Sequence, residues 1–214
     1  MVCLTLLIGL DRSVFDGINS LAGSSTVTDW LARLGADDHV IPIALVLLVA
    51  LVLLTAKNRR ERRSAFSCVI CTLLAAALSM AVLYLLNTHF FRPRPFSSRT
   101  VNLLFYHNTD SAFPSNPAAL AFALSFAVLF YRRKVGAIML ALSLYMGLCR
   151  IVVGVHYPLD IVGGLMLGLA CALLANAAEG LYRPAGRWLT SALYRLLATW
   201  RPPGASGEVG GGER

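Results

Sequence analysis

Residues 149–160 read CRIVVGVHYPLD, and three of them carry the means for group-transfer chemistry. Pro158 suits the first turn of a helix, where its fixed φ fits and its missing N–H is not needed. His156 then lies just before a helix and Asp160 just inside it, four residues later. A carboxylate at that spacing can take the proton of one imidazole nitrogen and leave the other facing outward, which is how a nucleophilic or basic histidine is oriented. A capping aspartate beside an interfacial histidine is the plainer alternative for the same two residues. Arg150 sits six residues before His156, at the end of an apolar run. A half-buried guanidinium at a helix mouth needs an anion, and its fork matches phosphate oxygens two at a time.

Two further stretches add to this set. In FFRPRP, residues 90–95, Pro93 and Pro95 keep the backbone stiff and extended, so Arg92 and Arg94 do not collapse onto each other. In DSAFPSNPAAL, residues 110–120, two prolines bracket Ser115 and Asn116 immediately before an apolar run. That pattern starts a helix with Ser115 at its tip as cap and anion contact, and a helix N-terminus attracts anions. Arginines, a helix N-terminus and one oriented histidine make an oxyanion cradle with a nucleophile, which suits phosphoryl transfer. Asn87, His89, His107 and Asp110 belong to the same polar gathering, whereas Arg99 and Asn108 read as ordinary solvated loop residues. No Asp/Glu cluster or Gly-rich nucleotide loop is visible, so the chemistry requires neither a metal nor a nucleotide cofactor.

The elements that must hold these residues are apolar. The chain of 214 residues is 57% hydrophobic and 14% charged, with a mean hydropathy of +0.67, against about 25% charged residues in soluble domains. A soluble core of this size could not hide so much apolar surface, so the chain reads as an integral membrane protein. Its net charge of +8 does not imply nucleic acid, because the charges cluster between apolar runs. Four such runs cover roughly residues 40–56, 65–88, 135–153 and 158–178, and a shorter fifth covers 116–131; a bilayer needs ~20 residues per helix. The expected fold is all-α, an integral membrane bundle of about five or six transmembrane helices. Apolar positions 14/15/18/21 and 30/31/34 have helical spacing and predict two short amphipathic surface helices before them. The domain reading is an interfacial segment over 1–38, a transmembrane domain over 39–180, and a basic, then Gly-rich tail over 181–214. KNRRERR at 57–63, YRRK at 131–134 and the arginines after 180 carry the positive charge. The positive-inside rule puts them in the cytoplasm and the polar gathering on the outer side. The opening residues lack the charged start and cleavage site of a signal peptide. Cys68 and Cys71 form a C-x-x-C inside an apolar helix with no second pair, which reads as small packing residues.

N-x6-RP (Asn87 to Pro95), PSN (114–116) and CR-x5-H-x3-D (149–160) resemble the three signature blocks of the type 2 phosphatidic acid phosphatase superfamily. That family's blocks are K-x6-RP, PSGH and SR-x5-H-x3-D. The strings FRPRPF and RIVVGVHYPLDIVGG are similar to its bacterial undecaprenyl-pyrophosphate phosphatase branch. The resemblance covers roughly residues 80–170. It implies that His156 attacks phosphorus and becomes a phosphohistidine, that Asp160 orients it, and that Arg94 and Arg150 hold the phosphoryl oxygens with Ser115 and the neighbouring backbone N–H groups. It implies no metal, a polyprenyl or other lipid phosphate as substrate, and residence in a bacterial plasma membrane with the site facing outward.

Four positions depart from the family pattern. Asn87 stands for Lys and loses a charge on the phosphate, for which Arg92 is the expected compensation. Asn116 stands for Gly and Cys149 for Ser, both mild. Pro117 stands for the histidine that serves as general acid, and proline has no proton to give. His107, His89 or a water is the expected substitute, with His107 first. The leading expectation is a lipid pyrophosphate phosphatase converting undecaprenyl pyrophosphate to undecaprenyl phosphate. The alternative is a catalytically impaired relative that binds phospholipid headgroups.

Overall fold

The computed structural model describes residues 2–104 and 110–199, with side chains over 6–104 and 110–196. Among them are nine helices and no strand: α1 (Val2–Asn19), α2 (Thr26–Ala36), α3 (Val40–Leu54), α4 (Arg59–His89), α5 (Pro95–Ser98), α6 (Asn116–Tyr131), α7 (Arg133–Val152), α8 (Pro158–Ala177) and α9 (Glu179–Thr199). The all-α membrane bundle expected from the sequence is what forms. The five apolar runs become α3, α4, α6, α7 and α8. By length and composition α4, α7 and α8 can each cross a membrane, α2 and α3 pass together as a span bent by 57°, and α6 is a shorter apolar helix.

Boundaries moved where polar chemistry outweighed hydropathy. The α4 helix starts at Arg59, inside the basic loop, because Asn58 caps it: its Oδ1 accepts from the Glu61 N–H at 2.9 Å, and Glu61 reaches back to the Lys57 N–H at 2.9 Å. The first apolar residues and the 14/15/18 stripe join into one 18-residue helix, α1. Its Phe15 is buried against Tyr157, ring centroids 5.2 Å apart, which anchors α1 at the start of α8. No helix was anticipated beyond residue 180, yet α9 packs along α4 and joins its Tyr182 hydroxyl to that of Tyr131 at 3.0 Å. The Gly-rich stretch 204–214 lies outside the described residues.

At the centre is α6, packed against α3, α4, α7 and α8. It can be central because it is small: Ala118, Ala119, Ala121, Ala123 and Ala127 are all buried. On α8 the facing position is Gly168, where a Cβ would come within 2.7 Å of the Ala119 carbonyl oxygen and the Ala123 nitrogen. Small residues let backbones approach in a medium that offers no hydrophobic force between helices. The Ser125 and Ser143 hydroxyls meet at 2.9 Å between α6 and α7 and also bond their own helices, which satisfies polar groups that hydrocarbon would not. Leu73, Leu85, Leu148, Met166 and Leu174 are exposed on the outside. Apolar residues both inside and outside are the signature of a bundle solvated by lipid.

Alternating helix directions sort the bundle's ends. The C-termini of α4 and α7 meet the N-termini of α6 and α8 at one end. The basic start of α4, the α6–α7 junction and the start of α9 share the other.

Candidate active site

His156 sits in the turn between α7 and α8. That turn needs Gly154 at φ +87°, a left-handed conformation that favours glycine. Asn19, at the end of α1, pins it: its Nδ2 donates to the Val152 carbonyl at 2.8 Å and to the Asn102 carbonyl at 2.9 Å. The His156 side chain is fully buried. Its Nδ1 lies 3.0 Å from the Ala112 carbonyl oxygen, and its Nε2 lies 3.3 Å from Nη1 of Arg94. A carbonyl only accepts and a guanidinium only donates, so these partners assign the proton to Nδ1 and the lone pair to Nε2. Burial, reinforced by the charges of Arg150 and Arg94, pushes the His156 pKa well below 6.5. The imidazole is therefore neutral at physiological pH, with its basic nitrogen aimed at an arginine.

Asp160 does not take the histidine proton in the way the i, i+4 spacing suggested. Its Oδ2 is 3.7 Å from Nδ1, beyond a hydrogen bond, and instead accepts from the Tyr157 N–H at 2.8 Å. The reason is its place in the first turn of α8, where a carboxylate is drawn back to the helix's own free N–H groups. The Ala112 carbonyl takes the proton, while Asp160 stays close enough to favour positive charge on the ring. The other Asp160 oxygen accepts from Arg92.

Arg92 also departs from expectation. Its guanidinium lies over the Tyr157 ring, 4.6 Å from the centroid, and bonds both Asp160 and Asp11. Burial works against its charge, but the two carboxylates outweigh burial and raise its pKa. Its charge is thus held within the scaffold and does not replace the missing lysine at position 87. Asp11 is buried and completes the arrangement by accepting from the Leu159 N–H at 2.8 Å.

Arg94 is buried and donates to the Val155 carbonyl at 3.3 Å, to the Asp110 carbonyl at 3.2 Å and to the Asp110 carboxylate at 2.6 Å. Arg150 is buried and donates through both terminal nitrogens to Asp38 at 2.8 Å and to the Ala36 carbonyl at 2.9 Å. Each arginine thus meets a carboxylate. Four buried side-chain atoms have no partner among the described residues: Nε of Arg150, the hydroxyls of Ser115 and Ser79, and Oδ1 of Asn87; of these, Arg150 Nε and the Ser115 hydroxyl are donors at this end of the bundle. Ser115 is the N-cap of α6 by position, but its hydroxyl makes no capping bond. Its backbone N–H donates to the Asp160 carbonyl at 3.1 Å, tying the α6 tip to the start of α8. Buried donors left open are what an oxyanion satisfies.

Asn87 donates to the Asn116 side chain at 3.1 Å, and Asn116 donates onward to Asp110 at 3.4 Å. Pro117 is the second residue of α6 and offers no donor. His89 is exposed, its Nδ1 2.9 Å from Leu85 O and from the Thr88 hydroxyl in its own last turn. His107 and Asn108 lie outside the described residues. Among the described residues no group of three or more His, Cys, Asp or Glu side chains could hold a metal. Sequence reasoning missed Ala112, Asn19, Asp11 and Asp38. Nothing local marks them: Arg150 and Asp38 are 112 positions apart, and Arg92 and Asp11 are 81 apart.

The sequence matches the PAP2 superfamily over residues 68–181, more than half of the chain and all of the motif residues. The chain belongs to the PAP2 superfamily. Among its relatives is the undecaprenyl-diphosphatase BcrC of Bacillus subtilis, 29% identical over 82% of this chain and 87% of that protein. The putative undecaprenyl-diphosphatase YbjG of Escherichia coli is 28% identical over 91% of this chain and 92% of that one. The crystal structure of Aquifex aeolicus LpxE is similar at a TM-score of 0.61 with 26% identity, over 78% of this chain and 95% of that one. This PAP2 member is a multi-pass membrane protein and a lipid phosphatase.

Proposed function

We propose that this PAP2 phosphatase cleaves a lipid pyrophosphate, undecaprenyl pyrophosphate being the substrate that the names of its relatives suggest. The observation that carries the chemistry is His156: Nδ1 committed to the Ala112 carbonyl, Nε2 bearing the lone pair beside Arg94. Nε2 attacks the terminal phosphorus, the bond to the bridging oxygen breaks, and the lipid monophosphate departs with the bond's electron pair. Arg94, Arg150 and Ser115 take the phosphoryl oxygens as Asp110 and Asp38 give way. The positive charge left on the phosphohistidine is stabilised by the Ala112 carbonyl and the nearby Asp160. Water then cleaves the P–N bond, releasing phosphate and neutral His156.

Pro117 supports a pyrophosphate over a monophosphate. An alkoxide leaving group resembles hydroxide, whose conjugate acid has a pKa of about 16. Without a general acid its expulsion is slowed by roughly 10²–10⁴. A phosphate leaving group has a second pKa of about 6 and departs with little help. The basic end of the bundle supports a cytoplasmic placement for α4's start, and hence a His156 site facing the outer side of a bacterial plasma membrane. There the product would re-enter use as a carrier lipid in wall synthesis. One observation favours the alternative of a catalytically impaired headgroup binder: Pro117 supplies no proton at the α6 tip, and Arg92, held by Asp160 and Asp11, does not stand in for the lysine absent at position 87.

Phosphate release from undecaprenyl pyrophosphate by the purified protein in detergent separates the two. His156→Ala is expected to abolish it. Equal release by both proteins would remove the enzymatic reading.

A further inference from the structure

A cavity of about 970 Å³ opens at the end of the bundle away from His156. Its charged lining is Arg59, Arg60 and Arg63 from α4, Arg183 and Arg187 from α9, and one acid, Glu179. We propose that this cavity is a binding site for the phosphate headgroup of an intact anionic phospholipid.

The charge balance there is unlike that of the catalytic end. Arg92, Arg94, Arg99 and Arg150 each meet an aspartate. The side chains of Arg60, Arg63, Arg183 and Arg187 have no hydrogen-bond or ion-pair partner among the described residues. The positive-inside rule asks only that such charges lie on one side of the membrane. It does not ask that two segments more than a hundred residues apart bring five guanidinium groups to one cavity.

Helix geometry makes this convergence costly unless an anion is present. Arg59 and Arg63 are an i, i+4 pair of like charges on α4, and Arg183 and Arg187 are another on α9; such pairs repel. The α4 trio also sits on the first turns of its helix, where the dipole disfavours cations and favours anions. Packing nevertheless presses the two helices together. Gly186 sits close enough to Ser67 that a Cβ would lie 3.1 Å from its hydroxyl, and Tyr182 bonds Tyr131 at the cavity's edge. A phosphate between the helices offsets both repulsions and the dipole at once.

The surroundings select a lipid. Leu181 and Trp188 project from α9 with 87% and 69% of their surface exposed, and tryptophan favours the membrane–water boundary. Phe130 contributes an apolar wall to the cavity. A headgroup can therefore enter from the bilayer edge while its chains remain in hydrocarbon. The occupant is not cleaved there. Arg63 and Asn87 stand 24 residues apart on one continuous helix, roughly 36 Å at 1.5 Å per residue, so the site is remote from His156.

The full chain in detergent, titrated with spin-labelled phosphatidylglycerol and phosphatidylcholine, tests the site. Wild type is expected to prefer phosphatidylglycerol, and Arg63→Gln/Arg187→Gln to weaken that binding at least tenfold. Arg60→Gln/Arg183→Gln is a second, independent pair, and Arg133→Gln/Lys134→Gln on the same side but outside the cavity should change it less than twofold. Phosphate release stays within twofold of wild type in all three. Equal affinity in every protein, or equal loss in the Arg133/Lys134 control, would overturn the proposal. So would displacement of the labelled lipid by inorganic pyrophosphate at lower concentration than by unlabelled phosphatidylglycerol, which would mark a site for free anions.

Discussion

His156 ties the site's chemistry to pH. Its folded-state pKa lies well below 6.5, so as pH falls through 6.5 the unfolded chain takes up a proton that the folded protein refuses. Stability contributed by this residue is therefore complete above about pH 6.5 and declines on acidification below it. As the proposed nucleophile, His156 by the same reasoning stays neutral below the usual histidine range. The kcat profile for a lipid pyrophosphate is expected to remain level on its acid side through pH 6.5, and an acid limb centred at or above that value would contradict the assignment. Pro117 gives the second residue-scale prediction. Pro117→His restores a proton donor next to the cradle, so it should raise turnover of a lipid monophosphate by ~10²-fold or more and of a pyrophosphate by much less. Equal gains on the two substrates would refute the leaving-group explanation.

Helix contacts decide whether these residues meet at all. Ser115 belongs to α6 and Asp160 to α8, and the bond between their backbones holds only if those helices approach closely. Gly168 permits that approach at the Ala119 and Ala123 backbones. Gly168→Val is expected to separate the pair, with a stability loss of about 1–3 kcal/mol as for other overpacked cores. A lowered thermal midpoint in detergent together with reduced phosphate release would show it; an unchanged midpoint would mean the contact is not limiting. Much at this scale was legible in the sequence. Apolar length set the five main helices, and the prolines at 114, 117 and 158 marked helix starts. The helical tail after 180 was not legible, because Arg183 and Arg187 break its apolar pattern and only packing on α4 explains it.

Across the whole molecule, the N-terminal helices are part of the site. The PAP2 match begins at residue 68, yet Asp11 holds Arg92 and the α8 tip, and Asp38 holds Arg150. Asp11→Asn removes a buried charge that accepts from both groups, and the expected cost is about 1.5–3 kcal/mol, the range for hydrogen bonds to charged groups. Calorimetry or a thermal melt should register it, and phosphate release should fall although position 11 lies outside the family match. Full stability and activity in this variant would mean that α1 is dispensable. The sequence by itself determined the membrane bundle and the place of the H-x3-D pair, because hydropathy depends on local composition and that motif fixes two residues within one turn. The tertiary structure alone decided the long-range partners: the Ala112 carbonyl on His156, Arg92 on Asp160, and the distant aspartates on Arg92 and Arg150. Those choices depend on which chain segments the packed helices bring within 3 Å, and no local spacing encodes that.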